Sequence, residues 1–208
     1  GKGSAWEWDE TTQQYYLHYY SKHMPDLNWD YQPLREEIYA MMRWWMDMGV
    51  DGFRLDVITC LKKPEGFPDT DAPLDYNGYV QSRLNRCNVP GMHEILQEMH
   101  REVFSRYDCM TVGECIGVRT HNAAGYISAG RKELDSLYHF QLCNRNPNPP
   151  TVLDYKKVQA DWAKVVQNNC WIAQHLSNHD FPRQVSRFGN DREYRVPSAK
   201  MLATFLHG

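Results

Sequence analysis

The stretch DGFRLDVI, residues 51–58, places an arginine and an aspartate two positions apart in an otherwise apolar run. Successive side chains of a β-strand point to opposite faces, so Arg54 and Asp56 share one face of the predicted strand and Leu55 and Val57 the other. Such a pair is either a structural ion pair in a core or part of a functional site. The stretch alone leaves both interpretations open.

The segments around this strand alternate between helical and strand patterns. Helices are predicted over residues 33–48, 92–107, 152–167 and 198–206 from the spacing of their apolar residues. Strands are predicted over 50–58, 109–114, 136–141 and 170–180, and residues 1–32 are predicted to be loop with one short strand. Strands that alternate with helices predict βαβ units and a parallel sheet, which is an α/β fold.

Ionisable side chains lie at the carboxyl ends of three of these predicted strands. They are Arg54 and Asp56 on the first strand, Glu114 on the second, and His179 and Asp180 on the fourth. Both a (β/α)8 barrel and a doubly wound sheet bind ligands at the carboxyl ends of their strands. No glycine-rich phosphate loop follows any of the strands, and this favours the barrel.

The three carboxylates suit glycoside hydrolysis, in which two carboxyl groups act as nucleophile and general acid/base. Arg54 would keep Asp56 ionised and fixed in orientation. Each residue also has a plain structural interpretation, because Glu114 could begin a helix and the Asn-His-Asp run that ends at Asp180 could form a turn. The combination at three strand ends, in order, is much more specific than any one residue.

The overall composition excludes several classes of partner. A formal net charge of -3 and a pI near 6.3 provide no basic surface for nucleic acid or an anionic membrane. No apolar run is long enough to span a bilayer, and no signal-peptide pattern begins at Gly1. The six cysteines include no CxxC pair and are too sparse for a disulfide scaffold, so a reducing cytoplasm is the expected location.

Taken together, the motifs resemble the alpha-amylase superfamily, glycoside hydrolase family thirteen, in its oligo-1,6-glucosidase, dextran glucosidase and isomaltase branch. DGFRLDVI (51–58) is similar to the second conserved region of that family, TVGE (111–114) to the third and SNHD (177–180) to the fourth. MPDLNWD (24–30) resembles the short motif before the third barrel helix. The resemblance covers nearly the whole chain.

The resemblance implies a role for each candidate site residue. Asp56 corresponds to the nucleophile, Glu114 to the general acid/base, and Asp180 to the carboxylate that binds the sugar in the transition state. Arg54 and His179 correspond to ligands of the sugar or of the nucleophile. An oligosaccharide is therefore the expected partner.

Val57 is the one hint of linkage preference. A valine directly after the nucleophile resembles the version found in enzymes that cut alpha-1,6 bonds, whereas small or hydroxyl residues accompany alpha-1,4 preference. The mechanism would be steric, because a branched side chain narrows the space beside the leaving sugar. The plain alternative is that Val57 fills a strand position. Met24, Cys115 and Phe181 depart from the usual pattern of the branch and put linkage and chain-length preference in doubt.

The resemblance also implies that the chain holds only part of a barrel. A complete (β/α)8 barrel takes about 250 residues, and residues 33–208 hold about strands 4 to 7 with their helices. Residues 1–32 correspond to the end of the domain inserted after the third strand. The chain therefore looks like an internal fragment, expected to be poorly soluble or oligomeric, and inactive, on its own. No cofactor or metal site is predicted within it; many relatives bind calcium, through ligands in segments outside this chain.

The function implied for the parent protein is a retaining alpha-glucosidase that hydrolyses alpha-1,6 bonds of isomalto-oligosaccharides from the non-reducing end. Trehalose-6-phosphate hydrolase, alpha-1,4-glucosidase and sucrose isomerase remain alternatives of the same family. A cluster of lysine and arginine at the leaving-sugar side would favour the first of these, and the sequence shows none that is convincing. A non-catalytic barrel, such as a transporter heavy-chain ectodomain, is the alternative of another class. Such proteins typically lose the carboxylates that are present here.

Overall fold

The secondary structure follows the predicted alternation of strands and helices. The computed structural model describes residues 3–68, 86–142, 151–167 and 169–207. The strands are β1 Trp6–Asp9, β2 Gln14–Leu17, β3 Gly52–Leu55, β4 Met110–Glu114, β5 Ser136–Tyr138 and β6 Trp171–Ala173. The helices are α1 Gln32–Asp47, α2 Met92–Glu102, α3 Ala124–Ile127, α4 Val152–Val166, α5 Gln184–Phe188 and α6 Arg195–His207.

A parallel sheet of four strands, β3 to β6, forms the centre of the structure. Its strands pair in chain order and are all parallel, as in one arc of a (β/α)8 barrel. Gly52 begins the arc at φ +147, and a Cβ at this position would collide with the carbonyl oxygen of Met110 on the neighbouring strand. A glycine is therefore required for β3 and β4 to approach at this point.

Helix α1 shows why the arc needs further partners. Tyr39, Met42 and Met46 recur at helical spacing and are buried, so they form the face that packs on the core. A second set of large apolar side chains on the same helix stays exposed: Met41, Trp44, Trp45 and Met48. An exposed apolar surface of this kind is typical of a packing interface. It lies on the barrel helix that precedes β3, one of the two edge strands of the described sheet.

Two of the predicted strands, those corresponding to β3 and β6, extend further towards the candidate site residues than the observed strands do. β3 ends at Leu55 because Val57 takes a left-handed conformation (φ 44, ψ 37), which an extended strand cannot continue. β6 ends at Ala173, and the predicted strand over 170–180 is wrong beyond that residue. The Asn178 side chain accepts a hydrogen bond from the backbone N–H of Asp180 (2.9 Å), so the segment forms the turn that its residue types also allow.

Residues 1–32 contain an antiparallel hairpin of β1 and β2, where the sequence predicted a single short strand. The carboxylate of Asp9 accepts hydrogen bonds from the backbone of Thr11 and Thr12, both at 3.2 Å, and Gln13 completes the turn at φ 55. Local turn chemistry, rather than apolar periodicity, therefore forms the hairpin. The assignment of residues 1–32 to an inserted domain stays a prediction.

The helix predictions were confirmed for α1, α4 and α6 to within a few residues. Helix α4 begins with a capping box, in which Thr151 and Asp154 exchange hydrogen bonds between side chain and backbone. Helix α2 ends at Glu102 rather than Tyr107 because the chain tightens into a 3-10 turn at Phe104–Arg106. The short helices α3 and α5 were not predicted, since four or five residues show no periodicity. The predicted loop over 144–150 lies outside the described residues.

Within the described residues, a disulfide joins Cys60 to Cys87, with their Cα atoms 4.3 Å apart. Cys109 and Cys115 are free thiols. The sequence excluded a scaffold that is dense in disulfides, and the Cys60–Cys87 bond does not make one. Disulfides are, however, rare in a reducing cytoplasm. The disulfide therefore does not support the expected cytoplasmic location. Among the helices of the described ranges, none is long and apolar enough to cross a membrane.

Candidate active site

Arg54 is the centre of a polar cluster at the carboxyl ends of β3, β4 and β5. Its Nη2 lies 2.7 Å from Oε2 of Glu114, and its Nη1 forms an ion pair with Asp56. Its Nε donates to the hydroxyl of Tyr138, at 2.9 Å. Glu114 and Tyr138 are register partners on neighbouring strands, which explains why one guanidinium reaches both. The ion pair predicted within DGFRLDVI therefore belongs to a wider cluster built from three strands.

The left-handed turn at Val57 has a direct effect on Glu114. A positive φ is strained for a β-branched residue, and strain of this kind concentrates at functional sites. At Val57 the turn directs the backbone N–H to Oε2 of Glu114, at 3.1 Å. Behind Glu114, a Cβ on Gly113 would come within 2.6 Å of the Leu134 side chain. The absent side chain of Gly113 lets the core pack closely against the strand that carries the carboxylate.

Glu114 has the electrostatic environment of an acid. Its side chain is only 7% exposed, and burial raises its pKa above the ordinary value for a glutamate. The Val57 N–H and the Arg54 charge oppose this shift, whereas the neighbouring Asp56 adds to it. Asp56, in contrast, is largely exposed, with 69% of its side chain accessible. The two carboxylates thus occupy different environments, as a pair with different roles requires.

Tyr138 is a member of the cluster to which the sequence prediction gave no role. Burial raises the pKa of Tyr138 to about 12, and the nearby Glu114 adds to the shift. Burial disfavours the charge on Arg54, but hydrogen bonds to Asp56 and Tyr138 outweigh it and raise the pKa of the guanidinium. Tyr138 therefore stays a neutral phenol beside a permanent cation. Its position as the last residue of a parallel strand was the signal that could have identified it.

Asp180 and His179 face the same cavity as the Arg54 cluster but do not contact that cluster directly. Their side chains are 61% and 71% exposed, and His179 Nε2 lies 3.6 Å from Asp180 Oδ2. The cavity has a volume of about 880 Å³. All six predicted site residues except Arg54 line it: Asp56, Val57, Glu114, His179 and Asp180. The structure brings these residues together, and their individual roles stay predictions.

The cavity lining also contains several side chains that the sequence did not identify. It includes Tyr20, Arg86, Asn88, Arg119 and Phe140, together with the previously noted Met24, Cys115 and Phe181. The guanidinium of Arg86 lies 4.8 Å from the ring centroid of Tyr19 and 5.4 Å from that of Tyr20. These cation–π contacts connect the N-terminal segment to the barrel. Two arginines thus face the cavity, although they are far apart in the sequence.

No group of three or more His, Cys, Asp or Glu side chains in the described ranges is placed to hold a metal ion.

Carboxylates at or beyond the carboxyl ends of parallel strands, facing one open cavity, are the arrangement of a (β/α)8-barrel active site. The profile of the alpha-amylase catalytic domain matches residues 2–208, and the chain belongs to this family. It is 46% identical, over 213 residues, to the oligo-1,6-glucosidase of Parageobacillus thermoglucosidasius. That alignment covers 99% of this chain and 38% of the relative.

Two solved structures show the same partial correspondence. Trehalose-6-phosphate hydrolase of Bacillus licheniformis superposes with a TM-score of 0.87 at 38% identity, over 99% of this chain and 37% of that one. The trehalulose synthase MutB of Pseudomonas mesoacidophila MX-45 superposes with a TM-score of 0.86 at 40% identity, over 97% of this chain and 37% of that one. The chain thus spans less than two fifths of these relatives. The predicted family and the partial barrel are confirmed.

His139, the neighbour of Tyr138 in the chain, is a buried histidine whose protonation should affect the stability of the fold. Its ring stacks on Trp162 with centroids 4.1 Å apart, and it is 5% exposed. Burial, His175 and the Arg119 charge lower its pKa from 6.5 to about 4. A depressed pKa means that the neutral form stabilises the fold above pH 6.5 and that this contribution is lost as the pH falls towards 4. As the pH falls from 6.5 to 4, we expect the protonation of His139 in the unfolded chain to lower the unfolding free energy of the full-length protein by up to about 3 kcal/mol.

Urea unfolding of the full-length protein at pH 7, 5.5 and 4.5 checks this expectation. His139→Phe keeps a flat ring against Trp162 but cannot be protonated, so its stability should fall less steeply over the same range. His23→Phe, at an exposed position, is the control and should follow the unchanged protein. Equal slopes for His139→Phe and the unchanged protein would contradict the assignment.

Proposed function

We propose that the full-length protein is a retaining alpha-glucosidase that releases glucose from the non-reducing ends of isomalto-oligosaccharides. The observation that carries this proposal is the single guanidinium of Arg54, which holds both Asp56 and Glu114 at the rim of the barrel. Two carboxyl groups that contact one guanidinium lie close together, and a close pair is typical of retaining rather than inverting enzymes. The similarity to an oligo-1,6-glucosidase supports the same conclusion.

In the first step, the carboxylate of Asp56 attacks the anomeric carbon of the terminal glucose. Glu114 donates its proton to the glycosidic oxygen as the bond to the leaving sugar breaks. The products of this step are the free leaving sugar and a glucosyl ester on Asp56. The raised pKa of Glu114 suits this role, because the group must still carry a proton near neutral pH.

In the second step, Glu114 acts as a base. Its carboxylate takes a proton from a water molecule, whose oxygen attacks the anomeric carbon and displaces Asp56. Two successive inversions retain the anomeric configuration. Arg54 holds the Asp56 side chain in orientation, while Asp180 and His179, which line the same cavity, bind hydroxyls of the glucose.

The N-terminal segment contributes to substrate binding in this proposal. Tyr20 and Met24 lie in residues 1–32 and line the cavity together with the barrel residues. We assign this segment to the domain inserted after the third strand, with the barrel beginning at residue 33. The leaving sugar would then lie between the two units.

Assays of the full-length protein on isomaltose, maltose, sucrose and trehalose-6-phosphate test the proposal. We expect the highest kcat/KM on isomaltose, with glucose released first as the alpha anomer. Higher activity on maltose would contradict the linkage preference, while release of the beta anomer would contradict the retaining mechanism. Conversion of sucrose into an isomer instead of its hydrolysis would favour the sucrose isomerase alternative.

Val57 provides a separate test of the linkage preference. We expect Val57→Ala to lower the ratio of kcat/KM for isomaltose over maltose by about tenfold, because removing two methyl groups widens the space beside the leaving sugar. Val57→Thr keeps the branched shape and replaces one methyl group with a hydroxyl, so it separates the effect of width from that of polarity. A steric mechanism requires a larger change in the alanine variant than in the threonine variant. Unchanged ratios in both variants would leave Val57 with only its structural role.

Trehalose-6-phosphate hydrolysis is the second candidate, because Arg86 and Arg119 both line the cavity. Two guanidinium groups are well suited to bind a phosphate on the leaving sugar. In that case trehalose-6-phosphate would be the best substrate, and Arg119→Gln would raise its KM more than that of isomaltose. The presence of Asp56, Glu114 and Asp180 argues against a non-catalytic barrel.

A further inference from the structure

The disulfide between Cys60 and Cys87 lies directly beside the proposed active site. Cys60 ends the 3-10 turn Ile58–Cys60, which follows Asp56 and Val57 without interruption. Cys87 lines the cavity together with its neighbours Arg86 and Asn88. Both cysteines are only 6% exposed. The bond thus connects the turn after the proposed nucleophile to the part of the cavity lining formed by Arg86, Cys87 and Asn88.

Asn88 fixes the position of residues 86–88, the segment that the disulfide joins to the turn at Cys60. Its backbone N–H donates to the carbonyl of Thr59 (2.8 Å), and its side-chain amide donates to the carbonyl of Ile116 (3.3 Å). The hydroxyl of Tyr126 donates to the Asn88 side-chain oxygen, at 2.7 Å. The disulfide lies next to these contacts and constrains the same short segment. Losing the bond would leave the segment held by hydrogen bonds that can exchange with water.

The proposed catalytic carboxylates are held by other contacts. Glu114 is fixed by Arg54 and by the Val57 N–H, and it lies on the central strand β4. Asp56 is fixed by Arg54. None of these contacts passes through Cys87 or Asn88. A change in the disulfide should therefore affect this part of the cavity lining more than the bond-cleaving groups.

We propose that the Cys60–Cys87 disulfide positions Arg86 and Asn88 as a wall for the leaving sugar, so that its reduction weakens oligosaccharide binding and spares the chemical step. This inference rests on the proposed alpha-glucosidase function. Reduction by a dithiol breaks the S–S bond and transfers two electrons and two protons to form the Cys60 and Cys87 thiols. The reductant becomes its own cyclic disulfide in the same exchange.

The test uses the full-length protein purified without reductant, in which mass spectrometry of peptides should find Cys60 bonded to Cys87. Kinetics on isomaltose are measured for this form, for the dithiothreitol-reduced form and for Cys60→Ser/Cys87→Ser. We expect the KM of the last two to rise about fivefold to tenfold, the equivalent of one lost hydrogen bond, with kcat nearly unchanged. Cys109→Ser, at a free thiol, is the matched control and should keep the original KM.

Hydrogen exchange provides a second readout that needs no catalysis. The amide of Asn88, which donates to Thr59, should exchange faster after reduction and in the double serine variant. Free Cys60 and Cys87 thiols in the unreduced protein would overturn the inference, as would an unchanged exchange rate at Asn88. A fall in kcat at constant KM would also overturn it, since the effect would then lie at the carboxylates. A protein that hydrolyses no alpha-glucoside in either state would refute the proposed function, and the exchange rate would still decide the role of the disulfide.

Discussion

Replacing Asp56 by alanine in the full-length protein should lower kcat on isomaltose by about 10⁴-fold or more, the scale expected for loss of a covalent nucleophile. The physical reason is that neither of the other two carboxylates that line the described cavity is placed to form the glucosyl ester. Glu114 is buried and hydrogen-bonded to Val57 and Arg54, and Asp180 lies apart from that cluster. Asp56→Asn, which keeps the shape of the side chain, should lose nearly as much activity.

A small anionic nucleophile separates a catalytic loss from a folding defect. Azide can occupy the space left in Asp56→Ala and attack the anomeric carbon of an activated aryl alpha-glucoside. The product should be the beta-glucosyl azide, because only one inversion takes place. Recovery of turnover with this stereochemistry would assign the nucleophile to residue 56. Undiminished hydrolysis of isomaltose by the variant would refute the assignment.

Replacing Glu114 by glutamine should lower kcat on isomaltose by about 10²-fold to 10⁴-fold, the usual contribution of a general acid. The variant keeps an oxygen that can accept from Val57 and Arg54, so its structure should change little. A dinitrophenyl glucoside needs no protonation of its leaving group, and formation of the glucosyl ester from it should be nearly normal. Glu94→Gln, at an exposed position on α2, is the matched control.

The pH profile distinguishes the acid role of Glu114 from a structural one. The group is active in the first step while it is protonated, and burial raises its pKa. The kcat/KM of the unchanged enzyme should therefore fall as the pH rises through this pKa, giving an alkaline limb. Glu114→Gln cannot lose a proton and should lack that limb. A variant that retains the alkaline limb would show that another group serves as the acid.

The site residues that could be predicted are those whose chemistry contrasts with their surroundings. Arg54, Asp56 and Glu114 are charged residues at the ends of apolar strands, and this contrast is visible in the sequence. Tyr138 is also at a strand end, but tyrosine is common in strands and gives no contrast. Arg86 and Arg119 reach the cavity from separate loops, and their convergence depends on tertiary structure.

Backbone conformation was the less predictable part of the fold. Val57 is a β-branched residue that favours extended structure, so a left-handed turn at this position contradicts its local preference. The tertiary hydrogen bond from its N–H to Glu114 offsets the conflict. Beyond the end of β6 at Ala173, the Asn178 side chain accepts from the Asp180 backbone N–H and forms a turn where a strand was predicted. Both departures from the predicted strands lie in the segments that follow a strand and carry the proposed site residues.

The strained turn at Val57 also bears on how the enzyme can evolve. A non-glycine residue in the left-handed region costs about 1–3 kcal/mol, and glycine or asparagine would relieve most of that cost. Either replacement would also remove the branched side chain that we propose narrows the space beside the leaving sugar. Selection for thermal stability and selection for linkage preference therefore favour different residues at position 57.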